Sequence, residues 1–128
     1  MSLVPAVRYH DFRAYLRRRL PEARPLLAAM EAEEAEDAAE APGMAPADAY
    51  GVMSVIFWWG VFEPALRAGD ERLAAECFGI VEELMRDADE NLAQVLYIRV
   101  LEWLMAEWRE QSARLGGELL RDLVEATS

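Results

Sequence analysis

Between Tyr50 and Phe62 the chain runs for thirteen residues without a single charge, YGVMSVIFWWGVF. A helix on a protein surface keeps a polar face, and this stretch has almost none. It has to be the central helix of whatever forms, with the remaining chain arranged to cover it. Asp48 stands where it can cap the start of that helix, and Pro64 where it kinks or restarts it. Of the consecutive Trp58 and Trp59, only one can face the core. The other is left to line a groove or an interface, and Trp59 is the candidate.

The covering elements read as helices by the recurrence of apolar residues at three and four. Tyr9, Phe12, Leu16 and Leu20 share one face of a first helix, which Pro21 ends; Leu26, Leu27 and Met30 begin a second. Glu31 to Glu40 is alanine and acid, helical by propensity but with nothing to bury, so its end is expected to fray. Pro42, Gly43 and Pro46 mark a break. Gly69 is placed as a left-handed terminator and Asp70 as the next cap, before a stripe of Leu73, Cys77, Ile80, Val81, Leu84 and Met85. After a turn capped by Asp87 or Asp89, residues 91–109 form another largely buried helix. A break over 111–117 and a short last helix follow. The expected fold is all-α: one domain over 1–128, a compact bundle of five or six helices. The pair 70–86 and 90–108 resembles the stacked helix pairs of α-solenoids. With 128 residues and 54% hydrophobic content, a core can form without metals or disulfides.

Charge narrows the partners. The net is −11, from 24 acids against 13 bases, and every base is arginine. Residues 1–30 carry +4, 31–48 carry −7 and 49–128 carry −8. Such a surface repels phosphate backbones, so nucleic acid is not an expected partner, whereas a basic protein is. The acids Glu31, Glu33, Glu34, Glu36, Asp37 and Glu40 are the candidate surface for it. Lysine-free, alanine-rich usage fits GC-rich coding and a bacterial source. No signal peptide or uninterrupted membrane-length apolar run is read, so the expected compartment is the cytoplasm, with no membrane partner.

Chemistry finds little footing. His10 beside Asp11 is a sequence neighbour pair, and adjacent helical residues point about 100° apart. Cys77, the single cysteine, lies on an apolar stripe and reads as a small buried hydrophobe. One histidine cannot supply the paired Glu-x-x-His of a helical metal site, and no glycine-rich phosphate loop occurs; no cofactor is expected. Glu82, Arg99 and Glu102 remain, a candidate polar cluster that reads more readily as a salt bridge at the core edge than as a site.

The stretch FWWGVFEPALRAGDERLAAECFGIVEELMRDADENLAQVLYIRVLEWL, with the closing LGGELLRDL, resembles a family of small all-helical bacterial proteins of unknown biochemistry. The resemblance covers residues 50–124, and some members of that family look like immunity proteins that neutralise toxins. It implies a non-catalytic protein that occludes a basic toxin, and it carries over no catalytic residues. Two further expectations stand beside it: a helical adaptor working as a homodimer, and an enzyme with a Glu/Arg site at Glu82, Arg99 and Glu102.

Overall fold

The computed structural model describes residues 6–43 and 45–127. Among them the chain forms seven helices: α1 Phe12–Arg19, α2 Arg24–Glu40, α3 Ala49–Ala68, α4 Glu71–Asp87, α5, α6 Arg109–Leu115 and α7 Glu118–Ala126. α5 is the continuous run of Glu90–Leu96, Tyr97–Leu101 and Glu102–Glu107. Single 3-10 turns, Tyr9–Asp11 and Pro21–Ala23, lead into α1 and α2. No strand occurs among the described residues, and the all-α expectation is met. Helix α2 continues to Glu40 although only Leu27 of it is fully buried.

The helix boundaries follow local chemistry. Asp48, Asp70 and Asp89 each accept a hydrogen bond from the backbone N–H three residues on, at 3.2, 3.1 and 2.8 Å, and so cap α3, α4 and α5. Gly69 takes the left-handed conformation at φ 70°, which a side chain would resist, and turns the chain from α3 into α4. One boundary differs from expectation. The helix does not run on to residue 109; it breaks at Trp108, whose φ of −129° and ψ of 36° leave the helical region. A further short helix, α6, then occupies much of the expected break, and Gly116-Gly117 separates it from α7.

Short turns make α3 and α4 antiparallel, and likewise α4 and α5, so α3 and α5 run parallel. Side-chain contacts agree. Arg99, midway along α5, lies over the ring of Tyr50 at the start of α3, and Arg67 near the end of α3 reaches Glu107 and Trp108 at the end of α5. Both helices widen in the middle to i→i+5 hydrogen bonding, over Val52–Phe62 and Tyr97–Leu101. Thus the Glu63 N–H donates to the Trp58 carbonyl and the Glu102 N–H to the Tyr97 carbonyl. Gly60 sits in the wide turn of α3. A Cβ there would lie 2.9 Å from the Val55 carbonyl oxygen and 2.8 Å from Leu26 Cδ1, so the bare backbone lets α2 approach.

The core is one cluster drawn from every helix except α6. Phe62 is at its centre, with Phe57, Trp58 and Phe78 around it at ring separations of 5.5, 5.3 and 4.9 Å. By length and composition alone, Ala49–Ala68 could cross a membrane, but half of its most apolar window is buried inside this core. Its apolarity is that of a central helix. Val7 pins the N-terminal segment to the α4–α5 turn: the Val7 N–H donates to the Asp87 carbonyl, and the Asp89 N–H donates to the Val7 carbonyl.

Candidate functional site

Three of the four arginines of α1 are spent inside the molecule, and Arg18 is exposed without an ion pair among the described residues. Arg13 grips Glu34 with two parallel bonds of 2.6 and 3.0 Å, and donates 2.8 Å to the Ala47 carbonyl. Glu34 accepts in turn from the Ala47 N–H at 2.6 Å, which ties the 45–48 loop to α2. Arg17 pairs with Glu31 at 2.6 Å. Arg19 holds Glu83 at 2.8 Å and Glu76 at 3.2 Å, and the Tyr15 hydroxyl donates to Glu83 at 2.6 Å. Hydrogen bonding from Arg17 keeps the Glu31 carboxyl below its usual range, and Arg13 does the same for Glu34. For Glu83, partial burial pushes upward, but the bonds from Arg19 and Tyr15 outweigh it and the pKa falls.

The six acids proposed from the sequence therefore divide. Glu31 and Glu34 are consumed by α1. Glu33, Glu36, Asp37 and Glu40 are exposed, and no arginine among the described residues pairs with them. They form the uncompensated part of the acidic surface.

Trp58 is buried, while Trp59 is 54% exposed. Trp59 shares its stripe of α3 with Val55, 49% exposed, and the stripe continues to Glu63 and Arg67. On α5 the facing stripe is Arg99, Trp103 and Glu107, with Trp103 42% exposed. Periodicity alone counts both helices as buried nearly all round, yet these apolar side chains lie outside, Val55 and Trp59 within the widened stretch of α3 and Trp103 just beyond that of α5.

Glu82, Arg99 and Glu102 fall in three places. The Glu82 carboxylate accepts from the backbone N–H groups of Leu119 and Leu120 at 2.7 and 3.3 Å, serving as a cap for α7 from a different helix. Arg99 lies 5.5 Å above the Tyr50 ring. Glu102 is exposed in the wall of a groove. No hydrogen bond or ion pair joins any two of the three among the described residues, so they do not assemble as a Glu/Arg site.

That groove was not visible in the sequence. It lies between α5 and α7, encloses about 330 Å³, and has an apolar lining that includes Tyr97, Leu101, Met105 and Leu123. The remaining candidates are quiet. His10 is exposed and meets the edge of Tyr9 at 5.3 Å. Cys77 is fully buried, and burial pushes its thiol up to about 12, far from a reactive thiolate. No group of three His, Cys, Asp or Glu side chains suited to a metal is gathered among the described residues.

Comparison with protein-family models, curated proteins and solved structures returns no match.

Proposed function

We propose that this chain is a non-catalytic protein-binding domain whose acidic surface takes a basic protein. In its most specific form it is an immunity-type protein that occludes a basic toxin such as a nuclease. One observation carries the reading: the arginines of α1 neutralise Glu31 and Glu34 within the monomer, while Glu33, Glu36, Asp37 and Glu40 stand exposed beside them without an arginine partner among the described residues. Surplus negative charge concentrated on one helix steers a cationic partner and repels nucleic acid and anionic membranes. Occlusion needs no chemistry of its own, in keeping with the scattering of Glu82, Arg99 and Glu102.

The test is co-expression with the product of a toxin-like gene lying beside this one. The expected result is a complex whose affinity falls steeply between low and high salt and weakens when Glu33, Glu36, Asp37 and Glu40 are all changed to glutamine. A complex indifferent to both salt and that variant would defeat the proposal.

A second reading, a homodimeric adaptor, draws on the exposed Val55, Trp59 and Trp103. It has to bring together two chains of net charge −11, which is why it stands second. Sedimentation over a range of concentrations separates the two readings.

A further inference from the structure

We infer that the groove between α5 and α7 docks an amphipathic helix of the partner, one carrying lysine or arginine on the flanks of its apolar face. This rests on the protein-binding reading and adds where and by what secondary structure the partner is held.

The shape sets the occupant. The apolar wall runs along α5 from Tyr97 to Ala106, a length of roughly 13 Å at the helical rise. An apolar stripe at i, i+3, i+4 and i+7 of a partner helix spans roughly 10 Å, so one such stripe fits end to end. About 330 Å³ accommodates a few aliphatic side chains. Met105, flexible and polarisable in the floor, adapts to them. On the α7 side, Leu119 is 38% exposed and sits four residues before Leu123, so it extends the apolar wall beyond the groove itself.

Charge sets the flanks. Glu102 stands in the α5 wall, and Glu118 and Asp122 occupy the neighbouring stripe of α7. All three are exposed and without an arginine partner among the described residues. The nearby Arg109 guanidinium is taken up by the Val124 carbonyl and by Oγ1 of the groove residue Thr127, at 2.8 and 2.7 Å. A helix entering this groove meets apolar surface below and carboxylates on both sides. A second copy of the chain supplies no matching amphipathic helix from α1: Arg13, Arg17 and Arg19 are engaged internally, and its apolar face of Phe12, Tyr15 and Leu16 is buried in its own core, which leaves only Arg18 of its arginines exposed.

The probe is a fluorescein-labelled 18-residue peptide of leucine and lysine with leucines at the helical stripe, read by anisotropy. Its controls are the same composition scrambled and a leucine–glutamate version of the stripe. The wild-type chain is expected to bind the stripe peptide at least tenfold more tightly than either control. Ala106→Arg, at an exposed position that projects into the groove, and Glu102→Lys are each expected to weaken it tenfold or more while circular dichroism stays unchanged. Equal binding of the scrambled peptide, or full binding by Ala106→Arg, overturns the groove as the site. So does a wild-type dimer that Ala106→Arg dissociates, because a second copy then fills it. The two proposals fail separately: if Ala106→Arg leaves a toxin complex intact but the glutamine variant of α2 abolishes it, the acidic surface stands and the groove does not.

Discussion

At the scale of single residues, two positions show how closely this chain is fitted. Gly60 lies where α3 widens and α2 comes nearest. An added methyl would meet the flexible end of Leu26, which can swing away, and the Val55 carbonyl, which cannot. Gly60→Ala is therefore expected to destabilise the fold by about 1–3 kcal/mol, read from denaturant melts, despite alanine's better helix propensity. An unchanged midpoint would mean the wide turn has room that the structure does not show. Glu83 is the second position. Its carboxyl is held below the ordinary value in the folded chain, so the stability it contributes is present above the unfolded pKa and is lost as the pH falls through the folded one. Glu83→Gln should accordingly be less stable than the wild type at pH 7. The gap between them should narrow as the pH drops below about 4.5, the ordinary glutamate value. Comparing the pair removes the opposing effect of acid on the overall negative charge, which both proteins share. A gap constant from pH 7 to pH 3 would rule out Glu83 as the titrating partner of Arg19 and Tyr15.

At the scale of elements, caps and turns carry the architecture, and they carry unequal loads. The Asp70 side chain caps α4 and makes no second hydrogen bond among the described residues, whereas Asp89 caps α5 and also accepts the Tyr9 N–H at 2.9 Å through its other oxygen. Asp70→Ala is expected to cost about 1 kcal/mol. Asp89→Ala should cost about twice that, because a second, long-range hydrogen bond goes with the cap. Hydrogen exchange should show the difference in kind: the Val7 and Tyr9 amides lose protection only in the Asp89 variant. Equal costs and equal exchange would mean the N-terminal segment is held by Val7 alone. These caps were legible in the sequence because the capping oxygen and the N–H it satisfies lie three residues apart. Gly69 and the central place of α3 were legible for the same reason, local chemistry and local composition. Glu82 capping α7 was not, since its partners lie 37 and 38 residues away. The break at Trp108 and the wide turns of α3 and α5 also escaped, because a periodicity of 3.6 assumes the regular winding that these segments abandon. With the winding went the exposure of Val55 and of Tyr97, and Tyr97 lines the groove. The acidic run was legible as a run, but not its division into two neutralised and four uncompensated acids, which depends on how α1 lies against α2.

At the scale of the whole molecule, that division has an energetic consequence. Glu33, Glu36, Asp37 and Glu40 stand three and four residues apart on α2, giving the like-charge pairs 33–36, 33–37, 36–40 and 37–40. Each such pair destabilises a helix by about 0.2–0.5 kcal/mol. Asp37 and Glu40 also lie in the last turn, where the helix dipole disfavours negative charge. Nothing described within the monomer offsets this: the nearest arginines already hold Glu31 and Glu34. Changing all four to glutamine should thus stabilise the free protein by about 1–2 kcal/mol at low salt, a rise in Tm of roughly 3–6 °C per kcal/mol. The gain should shrink as salt screens the repulsion. The same variant is expected to bind a basic partner more weakly, so stability and binding move in opposite directions. A melting curve that the four substitutions leave unmoved would show that these acids are compensated within the monomer, and the case for a cationic partner would lose its footing; a variant both more stable and weaker in binding ties the strain on α2 to what α2 is there to meet.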